Sequence, residues 1–260
     1  MGELVRLERR ADGVGILVLN RPERLNAIGI ATLVELGHRL DEIEADDLVR
    51  AVVVTGEGTA FSAGADISEL DGLDGPPAFS RFIRRFTDTY ARLQELPKPS
   101  IAAVNGVAYG GGFELALACD LRVAGEAARL GVPEIKLGLL PGAGGTARLT
   151  KMVPPPVAKE LLMTGEPLEA AEAHGLGLVN AVVPDDQVLD TACGVAARLA
   201  AGPVLALAAA KRLVDTGQAM PLDAAVVLER ETVAMLYGTD DRVEGTAAFL
   251  AKRAPAFRGR

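Results

Sequence analysis

The chain has 260 residues, enough for one large domain or for one core with a helical appendix. Its 27 Lys and Arg against 35 Asp and Glu leave a formal net charge of −8, which argues against a nucleic-acid binder and its concentrated basic face. Hydrophobic residues at 49% and charged residues at 24% exclude a disordered chain, while aromatics at 4% and the absence of Trp demand an aliphatic core.

In chain order, Val14-Gly15-Ile16-Leu17-Val18-Leu19 predicts a buried strand closed by the turn Asn20-Arg21-Pro22. Apolar residues at Ile30, Leu33, Leu36, Leu40 and Ile43 then fall at helical spacing. Further strands are expected at 49–54, 101–104 and 121–124, separated by helical stretches, so the first half reads as repeated strand–helix turns of an α/β unit. From Pro155 onward alanine-rich amphipathic segments predict helices near 157–163, 169–174, 187–200, 204–215 and 222–237, with a last one near 240–253. The expected division is an α/β core over 1–195 and a helical C-terminal part over 196–260.

Two cysteines, Cys119 and Cys193, and two histidines, His38 and His174, exclude a zinc ribbon and a disulfide scaffold, and no metal site is expected. His38 falls off the apolar stripe of its helix, and His174 precedes Gly175, where a helix C-terminal cap is expected. Cys119 reads as a small buried hydrophobe. The first residues mix both charges without an apolar run, unlike a signal peptide, and no apolar run is long enough for a membrane span. A cytoplasmic, reducing setting is expected.

Glycine, at 29 residues, concentrates in three clusters: Ala63-Gly64-Ala65-Asp66, Gly110-Gly111-Gly112 and Gly142-Ala143-Gly144-Gly145. Each follows an expected strand or turn and precedes an expected helix, where backbone N–H groups point outward at a ligand. Glu114 falls in the first turn of the helix behind the triple glycine. It reads either as a glutamate that complements the helix dipole or as a catalytic carboxylate beside an oxyanion donor. Glu134, stiffened by Pro133 and flanked by apolar residues, reads either as a surface glutamate or as a partly buried acid that keeps its proton near neutral pH.

Taken in sequence, these segments resemble the crotonase (enoyl-CoA hydratase/isomerase) superfamily. The matching stretches are 19–27, 61–67, 98–106, 110–120, 133–138 and 141–146, extended by 173–183 and 244–255, so the resemblance covers nearly the whole chain. It implies a spiral of repeated ββα units with a helical C-terminal part, assembled as a trimer or as a hexamer of paired trimers. It also implies an acyl-CoA thioester whose carbonyl oxygen meets the N–H groups of Ala65 and Gly111. Both positions that are glutamate in the hydratases are glutamate here. By resemblance Glu114 deprotonates water, Glu134 supplies the Cα proton, and Gly142 helps to hold the water.

The implied activity is an enoyl-CoA hydratase making 3-hydroxyacyl-CoA with no metal or redox cofactor, coenzyme A being part of the substrate. Another crotonase-type reaction such as isomerisation, or a non-catalytic acyl-CoA-binding subunit, is the alternative, and the glutamate pair argues against the binding subunit. The resemblance also assigns CoA contacts to Arg24, Leu25, Ala63, Asp66 and Ile67, and, from a neighbouring subunit, to Phe249 and Lys252. Arg24 reads equally as an exposed turn residue and Phe249 equally as core. There are two departures: the short acidic turn Asp71-Gly72-Leu73-Asp74-Gly75-Pro76-Pro77, in a region that shapes the acyl pocket in relatives, and Val132 where many hydratases carry a polar residue, which bears on the support of Glu134.

Overall fold

The computed structural model describes residues 2–260. The expected strand at 14–19 is β2 (Val14–Leu19), buried at every position. It pairs antiparallel with β1 (Val5–Arg9), a strand that its charged residues Arg6, Glu8 and Arg9 conceal in the sequence. On the other side of β2 follow β3 (Ala51–Gly56), β5 (Ser100–Val104), β7 (Leu121–Gly125) and β10 (Ala181–Val183), each parallel to its neighbour. Both faces of this six-stranded sheet are covered, which is why its strands read as unbroken apolar runs. Leu17, Leu19, Val52, Val54, Ala102 and Val104 face the main core, under α1 (Ile30–Ala45). Their neighbours Ile16, Val18, Val53, Ile101 and Ala103 face a second core under α8 (Val188–Ala200).

The strands come in pairs along the chain: β3 with β4 (Ala60–Ser62), β5 with β6 (Val107–Tyr109), β7 with β8 (Arg129–Gly131). The first of each pair joins the large sheet. The second joins a small sheet of order β4-β6-β8-β9, where β9 is Leu168–Glu169. Helices follow each pair: α2 (Ile67–Asp71) and α3 (Gly75–Glu95), then α4 (Gly111–Ala118), then α5 (Gly145–Met152) and α6 (Pro155–Thr164). This is the ββα spiral that the resemblance implies. Because β4, β6 and β8 run parallel, the loops that leave them emerge at one edge of the small sheet. Ligands of parallel sheets gather at such carboxyl ends.

Several boundaries differ from expectation. The turn-rich segment 71–77 carries the last residue of α2 and the first turn of α3, where Pro76 and Pro77 suit a helix start. Helix α5 opens at Gly145, three residues after Gly142. Helix α7 (Ala170–Gly175) ends as expected, but the left-handed glycine that follows is Gly177, with φ 77°, not Gly175. His38 and His174 are both exposed. Cys119 is buried, and burial pushes its thiol up to about 12, so it packs as a hydrophobe and is no thiolate nucleophile.

Helix α8 runs unbroken through the expected division at 195/196, and Ala192, Cys193, Ala196 and Ala200 pack it on the large sheet. The change of character comes after Ala200: α9 (Val204–Gly217) and α10 (Leu222–Leu236) contain no buried residue. In α11 (Asp240–Leu250) only Asp241 and Ala248 are buried. Asp241 ties down the C-terminal tail, accepting the N–H groups of Arg258 at 2.7 Å and Gly259 at 2.9 Å. Among the described residues no single helix is long and apolar enough to cross a membrane.

Candidate active site

The first loop at the small-sheet edge, after β4, is held from behind by residues 21–28. Leu25 and Asn26 sit consecutively in the left-handed region, with φ 48° and 55°, a conformation costing on the order of 1–3 kcal/mol per non-glycine residue. The Asn26 side chain offsets that strain. Its amide donates to the carbonyls of Glu57 at 2.9 Å and Ala60 at 2.7 Å, and its oxygen accepts the Arg21 N–H at 2.9 Å. So braced, the segment accepts the Ala63 N–H at Leu25 O (2.8 Å) and the Asp66 N–H at Ile28 O (2.9 Å). Ala65 between them points its N–H the other way, where it meets no acceptor among the described residues.

The second loop, after β6, delivers the triple glycine. Gly110 takes φ 49° and ψ −124°, which only glycine adopts freely, and a Cβ there would stand 2.8 Å from Glu134 Oε1. A Cβ on Gly112 would run into the Ser62 carbonyl. Gly111 is the first residue of α4, so its N–H has no intrahelical partner, and it has no other acceptor among the described residues. An ideal Cβ on Gly111 would lie 3.3 Å from the Ala65 nitrogen, and one on Gly64 3.3 Å from the Gly111 nitrogen. The two free N–H groups are therefore neighbours. Tyr90, fully buried, donates its hydroxyl to the Gly111 carbonyl at 2.8 Å and fixes that end of the helix.

Glu114, 3% exposed, is the fourth residue of α4, a helix buried on every side. Its Oε1 accepts the N–H groups of Ala143 and Gly145, each at 2.7 Å. Burial raises its pKa, and the Gly145 and Ala143 N–H groups, with the Arg148 charge, oppose that rise. Arg148 in turn donates to the Ala143 carbonyl at 2.8 Å and to Gln94 Oε1 at 3.0 and 2.9 Å, which holds the glycine loop in place. Gly142, just before these residues, keeps its own N–H without an acceptor among the described residues.

The third loop, after β8, leads through Val132, 1% exposed, into a 3-10 turn at Pro133–Leu137 that carries Glu134. Glu134 is half-buried, and its Oε2 is buried with no hydrogen-bond partner. Burial pushes its carboxyl up to about 7, its own backbone N–H opposes, and the Glu114 charge adds to the rise.

Ala65, Gly111, Glu114, Glu134 and Gly142 all line one cavity of about 90 Å³. A larger cavity of about 400 Å³ lies between α4, α5 and α9 around the Asp120–Lys211 ion pair (3.0 Å), and neither carboxyl reaches it. Ala63 and Ile67 also line the smaller cavity, both exposed at its rim. Arg24 and Leu25 are exposed on the neighbouring turn. The Asp66 carboxylate is engaged locally, bound by Arg21 at 3.0 Å and capping α2 through Ser68. Phe249, 83% exposed, and Lys252 lie in the C-terminal part, and one chain does not bring them to the cavity. Asn26, Tyr90 and Arg148 carry no functional mark in the sequence, and the Ala143 and Gly145 amides show there only as part of a glycine cluster. Their signals were faint: one asparagine in a turn, one tyrosine ending an aromatic stripe, one arginine a turn beyond glycines.

Two convergent N–H donors can stabilise an anionic oxygen, and two carboxyls in the same cavity, one of them pushed up to about 7 by burial, can move protons beside it. The fold and the site thus define an acid–base enzyme of the kind that handles an enolate. The sequence profile of the Enoyl-CoA hydratase/isomerase family matches residues 9–260. The chain is 42% identical to the 2,3-dehydroadipyl-CoA hydratase of Escherichia coli over the full length of both. It is 39% identical to a short-chain-enoyl-CoA hydratase of Clostridium acetobutylicum over 92% of each. The crystal structure of an enoyl-CoA hydratase subunit of Geobacillus kaustophilus superposes with a TM-score of 0.94 at 42% identity, covering 99% of this chain and 98% of that one. The chain belongs to the enoyl-CoA hydratase/isomerase family.

Proposed function

We propose that the chain adds water across the double bond of a trans-2-enoyl-CoA to give the 3-hydroxyacyl-CoA. The observation that carries this reading is the shared cavity: Glu114 and Glu134 beside the two unpaired N–H groups of Ala65 and Gly111. The thioester oxygen takes those two donors. Glu114 is held through Oε1 alone, which leaves Oε2 to accept a proton from water. The water oxygen bonds to Cβ, the π electrons move onto the thioester oxygen, and the enolate returns them to Cα as Cα takes the Glu134 proton. Glu114 then passes its proton to solvent and Glu134 regains one. Gly142 offers its free N–H to the attacking water. Every proton has a carboxyl and the enolate has its donors, so no step calls on a metal or redox cofactor. Purified chain mixed with crotonyl-CoA is expected to remove the absorbance of the conjugated bond. Failure to hydrate any straight-chain enoyl-CoA would overturn the reading.

Arg24, Leu25, Ala63 and the main chain at Asp66 and Ile67 hold the CoA portion in this reading, with Phe249 and Lys252 supplied by a neighbouring subunit. The assembly is a trimer, or a hexamer of two trimers. Support comes from the unburied helices: Val214 is 62% exposed, Leu222 80%, Met235 71% and Phe249 83%, apolar surface that a lone chain leaves in water. Light scattering is expected to give three or six times the 27.0 kDa chain mass, and a stable, active monomer would contradict it. A cytoplasmic setting completes the reading, and the two free, buried thiols suit it.

A further inference from the structure

Beyond the carboxyl pair, the cavity is walled by apolar groups: Leu70, Phe79, Phe82, Ile83, Phe86 and Leu140 face it. Four of these lie at positions i, i+3, i+4 and i+7 of α3, one helix face. Part of that wall is rigid. Phe82 and Phe86 are buried, their ring centroids 5.1 Å apart, and Phe86 meets Tyr90 edge-on at 5.9 Å. Ile83 is only half-buried and closes the space between α3 and the Gly142 loop, its Cδ1 3.0 Å from where a Gly142 Cβ would stand.

Size and charge then both restrict the occupant. The cavity volume of about 90 Å³ is smaller than the ~150 Å³ at which an apolar protein cavity holds a benzene ring. No Lys, Arg or His lines it among the described residues. Of the four arginines of α3, Arg81, Arg84 and Arg85 are exposed on the opposite face of the helix and Arg92 pairs with Asp41, while Arg148 is committed to Gln94 and the Ala143 carbonyl. A carboxylate brought to the end of an acyl chain would meet hydrocarbon and the two glutamates, with no cation to pair it.

We infer that this cavity selects short, uncharged acyl chains and rejects thioesters whose far end is a carboxylate, with Ile83 as the wall residue that sets the length limit. The inference rests on the hydratase reading for the placement of the acyl group, and it is tested by binding rather than turnover. Dissociation constants of butyryl-CoA, hexanoyl-CoA and adipyl-CoA, saturated thioesters that cannot be hydrated, are measured by calorimetry. Hexanoyl-CoA is expected to bind about tenfold more weakly than butyryl-CoA, because the extra length overpacks the wall. Adipyl-CoA, matched to hexanoyl-CoA in carbon count, is expected to bind at least about 30-fold more weakly again. Ile83→Ala should bring hexanoyl-CoA to within about threefold of butyryl-CoA while adipyl-CoA stays excluded, since the change adds room but no cation. Phe79→Ala, at a half-buried position on the same face, serves as the second variant should Ile83→Ala unfold. Adipyl-CoA binding as tightly as hexanoyl-CoA overturns the inference, and so does equal binding of butyryl- and hexanoyl-CoA. The stated order of affinities without hydration of crotonyl-CoA leaves the inference standing and removes the hydratase reading alone.

Discussion

Glu134→Gln is expected to lower kcat for crotonyl-CoA hydration by about 10²–10⁴-fold while acyl-CoA still binds, and Glu114→Gln to do the same. The amide keeps the size of each side chain and removes its proton chemistry. The two losses arise differently. Glu114 is clamped by the Ala143 and Gly145 N–H groups, so its amide replacement must either turn its oxygen to them or lose them. Glu134 Oε2 has no protein partner, so Glu134→Gln costs the fold little and the reaction its acid. Unchanged hydration in either folded variant would overturn the assignment of roles.

The pH profile separates the roles. With Glu134 raised to about 7, chiefly by burial, the parent should lose kcat/KM as pH rises through about 7 and the acid gives up its proton. On the acid side, activity should fall where Glu114, its pKa raised from the ordinary value by burial, takes a proton and can no longer accept one from water. Glu134→Gln should erase the alkaline limb. Glu114→Gln removes the negative charge that helps to raise Glu134, so the alkaline limb of its residual activity should move to lower pH. An alkaline limb that stays at its parent position in Glu134→Gln would assign that limb to another group.

How much of this was legible in the sequence depended on length and on locality. The strands at 14–19, 101–104 and 121–124 announce themselves because both faces of the large sheet are covered and every position is apolar or nearly so. The small sheet escapes because β4, β6 and β8 have three residues each, too few to show a period, and β9 has two. That sheet is nevertheless what brings Ala65, Gly111 and Glu134 together. Glu114 and Glu134 were visible as residue types in place, but what tunes them was not. The clamp on Glu114 comes from a loop 29 and 31 residues away, and the value near 7 at Glu134 comes from burial that only packing creates. The α9–α11 helices were legible as helices, and their amphipathic pattern gave no sign that α9 and α10 would bury nothing within the chain.

Gly111→Ala, which keeps the N–H but crowds the oxygen it serves, should reduce kcat/KM by about 10²-fold, the loss that a misplacement of about 1 Å can cause, with little change in thermal stability. The triple glycine makes this separation possible, because each glycine is there for a different reason. Gly110 needs its left-handed backbone and its clearance from Glu134, and Gly112 needs its clearance from the Ser62 carbonyl, so replacing either strains the fold. Gly111 has neither constraint. Its φ lies outside the left-handed region, and an ideal Cβ would rest 3.5 Å from Phe86 Cε1 and 3.6 Å from the Tyr90 hydroxyl, ordinary contacts. The one tight approach is 3.3 Å to the Ala65 nitrogen, between the two donors where the thioester oxygen is to sit. The methyl group therefore harms the site by position rather than through backbone strain. Gly111→Pro also deletes the N–H, at a helix position where proline is tolerated, and should lower the rate below that of Gly111→Ala. Hydration rate and melting temperature measured together on both variants decide the matter: a folded Gly111→Pro that hydrates crotonyl-CoA at the parent rate would place the oxyanion site elsewhere.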